Sequence, residues 1–232
     1  MRPAQQVLPI SYQCQDDKLN GFITSNKGQD LPAILILPAW LGIDDEAKNA
    51  ALNLQAEGYM AFIADIYGEG NIPEDSEEAS KTSKWYKQHF EHYQKRISVA
   101  LTELIKAGAN PHKIAVMGYC FGGTGALEAA RGKLPVVGII CIHGSLYKDP
   151  RRNNDAFDAK VLIQHPADDH TVTKEDYENS ILEMKESNAD WQLITYGNSK
   201  HTFTNPKSSD YNKVMANRAW EHALQFLAEI LK

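Results

Sequence analysis

Apolar positions along this chain fall into short dense runs and longer stretches with helical spacing. The run at 32–38 (PAILILP) is apolar throughout, and so is 114–117 (IAVM). Runs of this length fit strands buried on both faces of a parallel sheet. Further strands are predicted at 59–64, 136–142, 160–165 and 191–196. Ahead of them, 7–12 and 19–24 read as an opening antiparallel pair, turned by the polar Gln15, Asp16, Asp17 and Lys18. Ala47, Ala50, Ala51 and Leu54 predict a helix that Asp44 or Asp45 caps and Gly58 ends. The acidic cluster at 72–78 suits the positive end of a second helical region. That region runs to about Lys106 with a break near residue 90, and its apolar face includes Trp85, Tyr86, Ile97, Leu101, Leu104 and Ile105. Helices are also predicted at 175–187 and 211–231, the last with Trp220, Ala223, Leu224, Leu227 and Leu231 on one face. Strands alternating with helices predict an α/β fold with a mostly parallel central sheet and helices on both faces.

One junction carries chemistry. After the run 114–117 comes Gly118-Tyr119-Cys120-Phe121-Gly122, followed by the small residues Gly123, Thr124, Gly125 and Ala126. G-x-C-x-G between a strand and a helix has the spacing of a nucleophile elbow, with Cys in place of the more usual Ser. Side chains two residues either side of a strained nucleophile would collide with the strand or the helix, so glycine is required there. The N–H groups of a helix start favour a thiolate. The competing reading is a buried structural Cys in a tight glycine-rich turn.

Composition narrows the rest. The chain has 232 residues, 43% of them hydrophobic, with no linker or repeat, which predicts a single domain over 1–232. The formal net charge is −6, with 24 Lys and Arg spread along the chain. There is no basic stripe for nucleic acid. Three Cys in a chain of this size predict free thiols in a reducing compartment, hence a cytoplasmic location. No signal peptide is expected, since Met1, Arg2, Pro3, Ala4, Gln5 and Gln6 precede no long apolar run. No run is long enough to span a membrane. No cofactor or metal is expected. The glycine-rich turn lacks the Gly-Lys-[Ser/Thr] of a phosphate loop, and His89 and His92, on one helix face, have no evident third ligand. Cys14 and Cys141 sit in strand-like contexts and read as inert.

In a parallel sheet, active groups gather beyond the carboxyl ends of the strands. Two later strand ends carry suitable residues: Asp168 and Asp169 after 160–165, and His201 after 191–196. The order nucleophile, acid, histidine is that of the α/β-hydrolases. His201 would raise the thiolate fraction and later activate water, and a carboxylate behind it would fix its tautomer. Alternatively, Asp169 caps the helix that follows and His201 is an ordinary loop histidine.

With these residues in place, the chain resembles the dienelactone hydrolase family, within the α/β-hydrolase fold. The resemblance covers essentially the whole chain: the elbow 118–123, the acid loop, the run His201-Thr202-Phe203-Thr204-Asn205-Pro206, and Trp191-Gln192-Leu193 at the start of the last strand. It implies Cys120 as nucleophile, His201 as base and Asp169 as acid, the family's acid standing three residues before the apolar Val172. It also implies an oxyanion hole from the backbone N–H groups of Trp40 and Phe121. Ala39, His143 and Phe203 are candidate substrate contacts, with His143 read against a hydrogen-bonded structural role.

Two departures from the family bear on substrate. Its members that open dienelactone carry a Glu where this chain has Ala39, and an Arg near the start of the long helical region. Residues 76–94 contain no Arg here, and Lys81 or Lys84 is the candidate substitute. Lys lacks the planar fork that grips a carboxylate. The expectation is therefore a hydrolase of a small-molecule ester or lactone other than dienelactone, acting through a thioester and working as a monomer or small homo-oligomer. The alternatives are a non-catalytic ligand-binding or redox-sensing relative with Cys120 as its reactive thiol, and a cysteine peptidase.

Overall fold

The structure is a computed structural model that describes residues 5–232. The reading of Met1 to Ala4 lies outside the described residues. Eight strands form one sheet: β1 (Val7–Cys14), β2 (Asp17–Thr24), β3 (Leu31–Leu37), β4 (Met60–Ile63), β5 (Ala109–Tyr119), β6 (Gly138–Ile142), β7 (Lys160–Pro166) and β8 (Trp191–Tyr196). Their order in space is β1-β2-β4-β3-β5-β6-β7-β8. Among the described residues only β1–β2 and β2–β4 pair antiparallel. From β4 to β8 every pairing is parallel.

Strand periodicity sorts the core into two layers. In β3, Ala33, Leu35 and Leu37 face one layer while Ile34 and Ile36 face the other. Among the described residues six helices cover the faces. On the side of Ile34 lie α1 (Asp45–Ala56) and α6 (Lys213–Leu231). On the side of Leu35 lie α2 (Ser76–Gln88), α3 (Phe90–Lys106), α4 (Phe121–Arg131) and α5 (Lys174–Glu186). The sheet is thus buried on both faces, which is why its central strands carry apolar residues without alternation. α4 is pinned at its far end. Buried Arg131 bridges Glu128 of its own helix and Glu183 of α5, at 2.9 and 2.8 Å. Among the described residues no helix is long and apolar enough to cross a membrane.

The structure corrects several boundaries. Cys14 pairs with Asp17, so the first turn is Gln15 and Asp16 alone, with Gln15 at φ 56°. β5 begins at Ala109, earlier than the apolar run suggests, and its polar start meets β3 through a register shift between Leu31 and Ala33. His89 and His92 do not share a helix face. His89 is the junction between α2 and α3, outside helical geometry at φ −109°, ψ 59°. Trp85 is not a core residue. It is 43% exposed, stacked on the His89 ring at 4.2 Å, while neighbouring Tyr86 takes the buried position.

Candidate active site

The loops that leave β3, β5, β6, β7 and β8 meet at one edge of the sheet, and the turn after β5 is the tightest. Cys120 stands between β5 and α4 at φ 52°, ψ −112°, a left-handed conformation that costs a non-glycine residue on the order of 1–3 kcal/mol. The surrounding glycines leave no choice. A Cβ on Gly118 would lie 1.9 Å from the carbonyl oxygen of Gly122, and one on Gly122 would lie 2.0 Å from that of Leu37. Both obstacles are backbone, which cannot rotate away. Gly122→Ala should therefore destabilise by at least about 3 kcal/mol in chemical denaturation. The control Gly197→Ala, where the added carbon meets nothing within 4 Å, should stay within about 0.5 kcal/mol. Equal effects would show that the elbow is looser than its packing implies.

Around this turn the structure brings together three of the residues singled out in the sequence. His201 Nε2 lies 3.1 Å from Cys120 Sγ, and His201 Nδ1 lies 2.9 Å from Asp169 Oδ2. Asp169, rather than Asp168, is the partner. Its side chain is fully buried, and its other oxygen, Oδ1, accepts from the N–H and hydroxyl of Thr171 at 2.9 and 2.7 Å. It is not a helix cap, since Thr173 caps α5 in a reciprocal pair with Asp176.

The electrostatics follow from this geometry. Burial pushes the Asp169 carboxyl up, but the hydrogen bond and charge of His201 and the Thr171 donors outweigh it and hold the group at about 2. Burial pushes His201 down. Its hydrogen bonds to Asp169 and Cys120, together with their charges, outweigh this and lift it to about 10. An imidazolium is thus favoured at His201, between Asp169 and Cys120.

The other candidates divide. Gly122 seats against the Leu37 and Pro38 carbonyls, which brings the loop carrying Ala39 and Trp40 beside the start of α4. The Trp40 carbonyl accepts from the Tyr67 hydroxyl at 2.7 Å, fixing the loop. Phe121 is the first residue of α4, so its N–H has no partner within the helix. Its ring is stacked between Tyr67 and Tyr93, with centroids 5.7 and 4.6 Å away. Ala39 lines a mainly apolar recess of about 160 Å³ with Phe22, Ile43, Ile66 and Tyr67. His143 and Phe203 are 1% and 0% exposed, so neither offers a free surface to a substrate. His143 lies beneath the nucleophile instead, with its Nδ1 3.1 Å from the Cys120 amide nitrogen.

Sequence reasoning missed Thr171, because its role depends on a turn that folds it back onto Asp169. Lys81 is exposed and paired with Glu77 at 2.7 Å. Burial pushes the pKa of Lys87, in the last turn of α2, below its ordinary value, and the nearby Cys120 opposes this only in part.

Comparison with known proteins agrees with this arrangement of strands and loops. The chain is 24% identical to a Saccharolobus solfataricus protein provisionally named carboxymethylenebutenolidase, over 96% of this chain and 98% of that one. It is also 24% identical to a Bradyrhizobium protein provisionally named 2-oxo-3-(5-oxofuran-2-ylidene)propanoate lactonase, over 85% of this chain and 83% of that one. Its structure superposes with a TM-score of 0.92 on a dienelactone hydrolase-like promiscuous phosphotriesterase from metagenomic libraries, 27% identical and covering 99% of this chain and 100% of the other. The sequence model of the dienelactone hydrolase family matches residues 19–231, and the chain belongs to that family of α/β-hydrolases.

Proposed function

We propose that this protein hydrolyses a lactone or activated carboxylic ester through a Cys120–His201–Asp169 triad and a thioester acyl-enzyme. The observation that carries the reading is the unbroken chain from Cys120 Sγ through His201 to the buried Asp169 carboxylate, at 3.1 and 2.9 Å. The Cys120 thiolate attacks the acyl carbon. The N–H groups of Trp40 and Phe121 receive the oxyanion, and the His201 imidazolium gives its proton to the leaving oxygen.

The same histidine then changes role. Acylation removes the sulfur's charge and its hydrogen bond, two of the causes that raise His201. Burial then weighs more heavily against the charged form. The imidazole returns to neutral and can take a proton from water, while Asp169 keeps its tautomer fixed. Water attacks the thioester and the acid leaves.

Sulfur limits the substrate. A thiol has a pKa of about 8.5, a phenol about 10, and an alcohol resembles water at about 15.7. From the tetrahedral intermediate the thiolate leaves ahead of an alkoxide, so attack on a plain alkyl ester mostly reverses. Dienelactone itself is not the expected substrate, since Ala39 stands in place of the family's Glu and residues 76–94 hold no Arg. Aryl acetates should exceed ethyl acetate in kcat/KM on the order of 10²–10³-fold, from a leaving-group difference of about six pKa units at roughly half weight. Rapid quenching followed by mass spectrometry should find the acyl group on Cys120. Equal rates for aryl and alkyl esters, or acylation elsewhere, would overturn the mechanism.

A further inference from the structure

A second chain of hydrogen bonds approaches Cys120 from below, and the mechanism above does not use it. The N–H of Cys120 donates both to the Ile142 carbonyl, at 3.0 Å, and to His143 Nδ1, at 3.1 Å. Nδ1 is therefore an acceptor, which places the ring proton on Nε2. Nε2 lies 2.8 Å from Thr204 Oγ1, and that hydroxyl donates onward to Glu46 Oε1 at 2.7 Å. Every donor in the sequence Cys120, His143, Thr204, Glu46 points the same way.

We propose that Glu46, Thr204 and His143 are positioning residues: the chain fixes the His143 tautomer so that its Nδ1 lone pair takes the Cys120 N–H and holds the nucleophile in its left-handed turn. Glu46 lies in the first turn of α1, which follows the loop bearing Trp40. Thr204 lies three residues beyond His201, and His143 follows β6. The chain thus ties the oxyanion loop, the histidine loop and the elbow to one another. His143 itself has φ 38°, so two left-handed non-glycine residues brace each other through this contact. Burial, followed by the charge of His201, pushes the His143 pKa down to about 3, so the ring stays neutral and only its tautomer is open to choice. The opposite tautomer would set an N–H against the Cys120 N–H. Thr204 opposes this while Glu46 is ionised, because its own proton is then donated to Glu46 and its lone pair is left for Nε2–H; burial pushes the Glu46 carboxyl up to about 7, so the arrangement holds above that pH. Glu46 and Thr204 line a recess of about 170 Å³ between α1 and α6, so the outer end of the chain is reached by solvent.

The test combines kinetics with ring-nitrogen NMR of the full chain. Wild type should show His143 with Nε2 protonated and Nδ1 bare, the signals being identified by their loss in His143→Gln. Thr204→Val should lower kcat for an aryl ester on the order of 10–100-fold, with KM within about twofold and signal moving to the Nδ1–H tautomer. Thr204→Ser, which keeps the hydroxyl, should stay within about threefold of wild type. Should Thr204→Val not fold, Glu46→Leu and Glu46→Gln replace it, and only the leucine variant should lose kcat and the tautomer. An Nδ1–H tautomer in wild type, full activity in Thr204→Val, or equal losses in the paired variants would each overturn the proposal. It rests on Cys120 as the nucleophile. A wild type that turns over no aryl ester sinks that reading, while the tautomer measurement still decides this one.

Discussion

Cys120→Ala lowers kcat for an aryl ester by on the order of 10⁵-fold or more and leaves the fold intact. The size follows from what is removed. In a nucleophile–base pair acting as a unit, loss of the nucleophile alone costs nearly as much as loss of the whole set, on the order of 10⁶ in the best-measured case. The residue left behind would be the contribution of the oxyanion donors and of binding. Folding should survive because Cys120 is only half-buried, outside both hydrophobic layers, whereas Cys14 and Cys141 are 1% and 0% exposed. Those two are the natural controls. Burial pushes the Cys141 thiol up to about 12, so it supplies no nucleophile near neutral pH. Thiol labelling of the native protein by a small alkylating agent should mark Cys120 alone and abolish turnover in proportion. Unchanged hydrolysis in Cys120→Ala, with normal thermal unfolding, would leave Cys120 as a binding or sensing thiol.

The layered sheet was readable in the sequence because burial on both faces leaves short unbroken apolar runs such as 32–38, and their alternation with amphipathic helices marks a parallel sheet. The elbow was readable for a related reason. Its geometry is dictated within five residues, and backbone contact forces glycine at Gly118 and Gly122. Choosing Asp169 over its neighbour took the family resemblance, since composition does not separate two adjacent aspartates. What remained hidden depends on distance or on phase. Glu46 and Thr204 are 158 positions apart, and nothing local in either marks the other. Trp85 reads as core by its side chain alone, yet its stacking on His89 leaves it at the surface.

Asp169→Asn tests the electrostatic half of the mechanism, and its expected effect is a loss in kcat on the order of 10⁴-fold, the scale known for removing the carboxylate from such a relay. The substitution keeps the shape and can keep the Thr171 contacts to Oδ1. It replaces the acceptor for His201 Nδ1–H with a neutral amide that can present a donor, which favours the wrong tautomer. It also removes two of the causes that lift His201 to about 10. The pH profile of kcat/KM, which reports the free enzyme, should then change in a definite direction. In wild type the imidazolium persists until pH rises through about 10, so activity holds to that point and falls above it. In Asp169→Asn this alkaline fall should begin at lower pH. Stability gives an independent sign. Asp169 has a folded pKa of about 2, below its ordinary 3.8, so its contribution is full above about 4 and is lost as pH falls through 2. The two proteins should therefore differ in denaturant midpoint at pH 7 and converge in strong acid. A variant that keeps its alkaline limb near 10 would show that the charge on His201 is set by something other than the aspartate behind it.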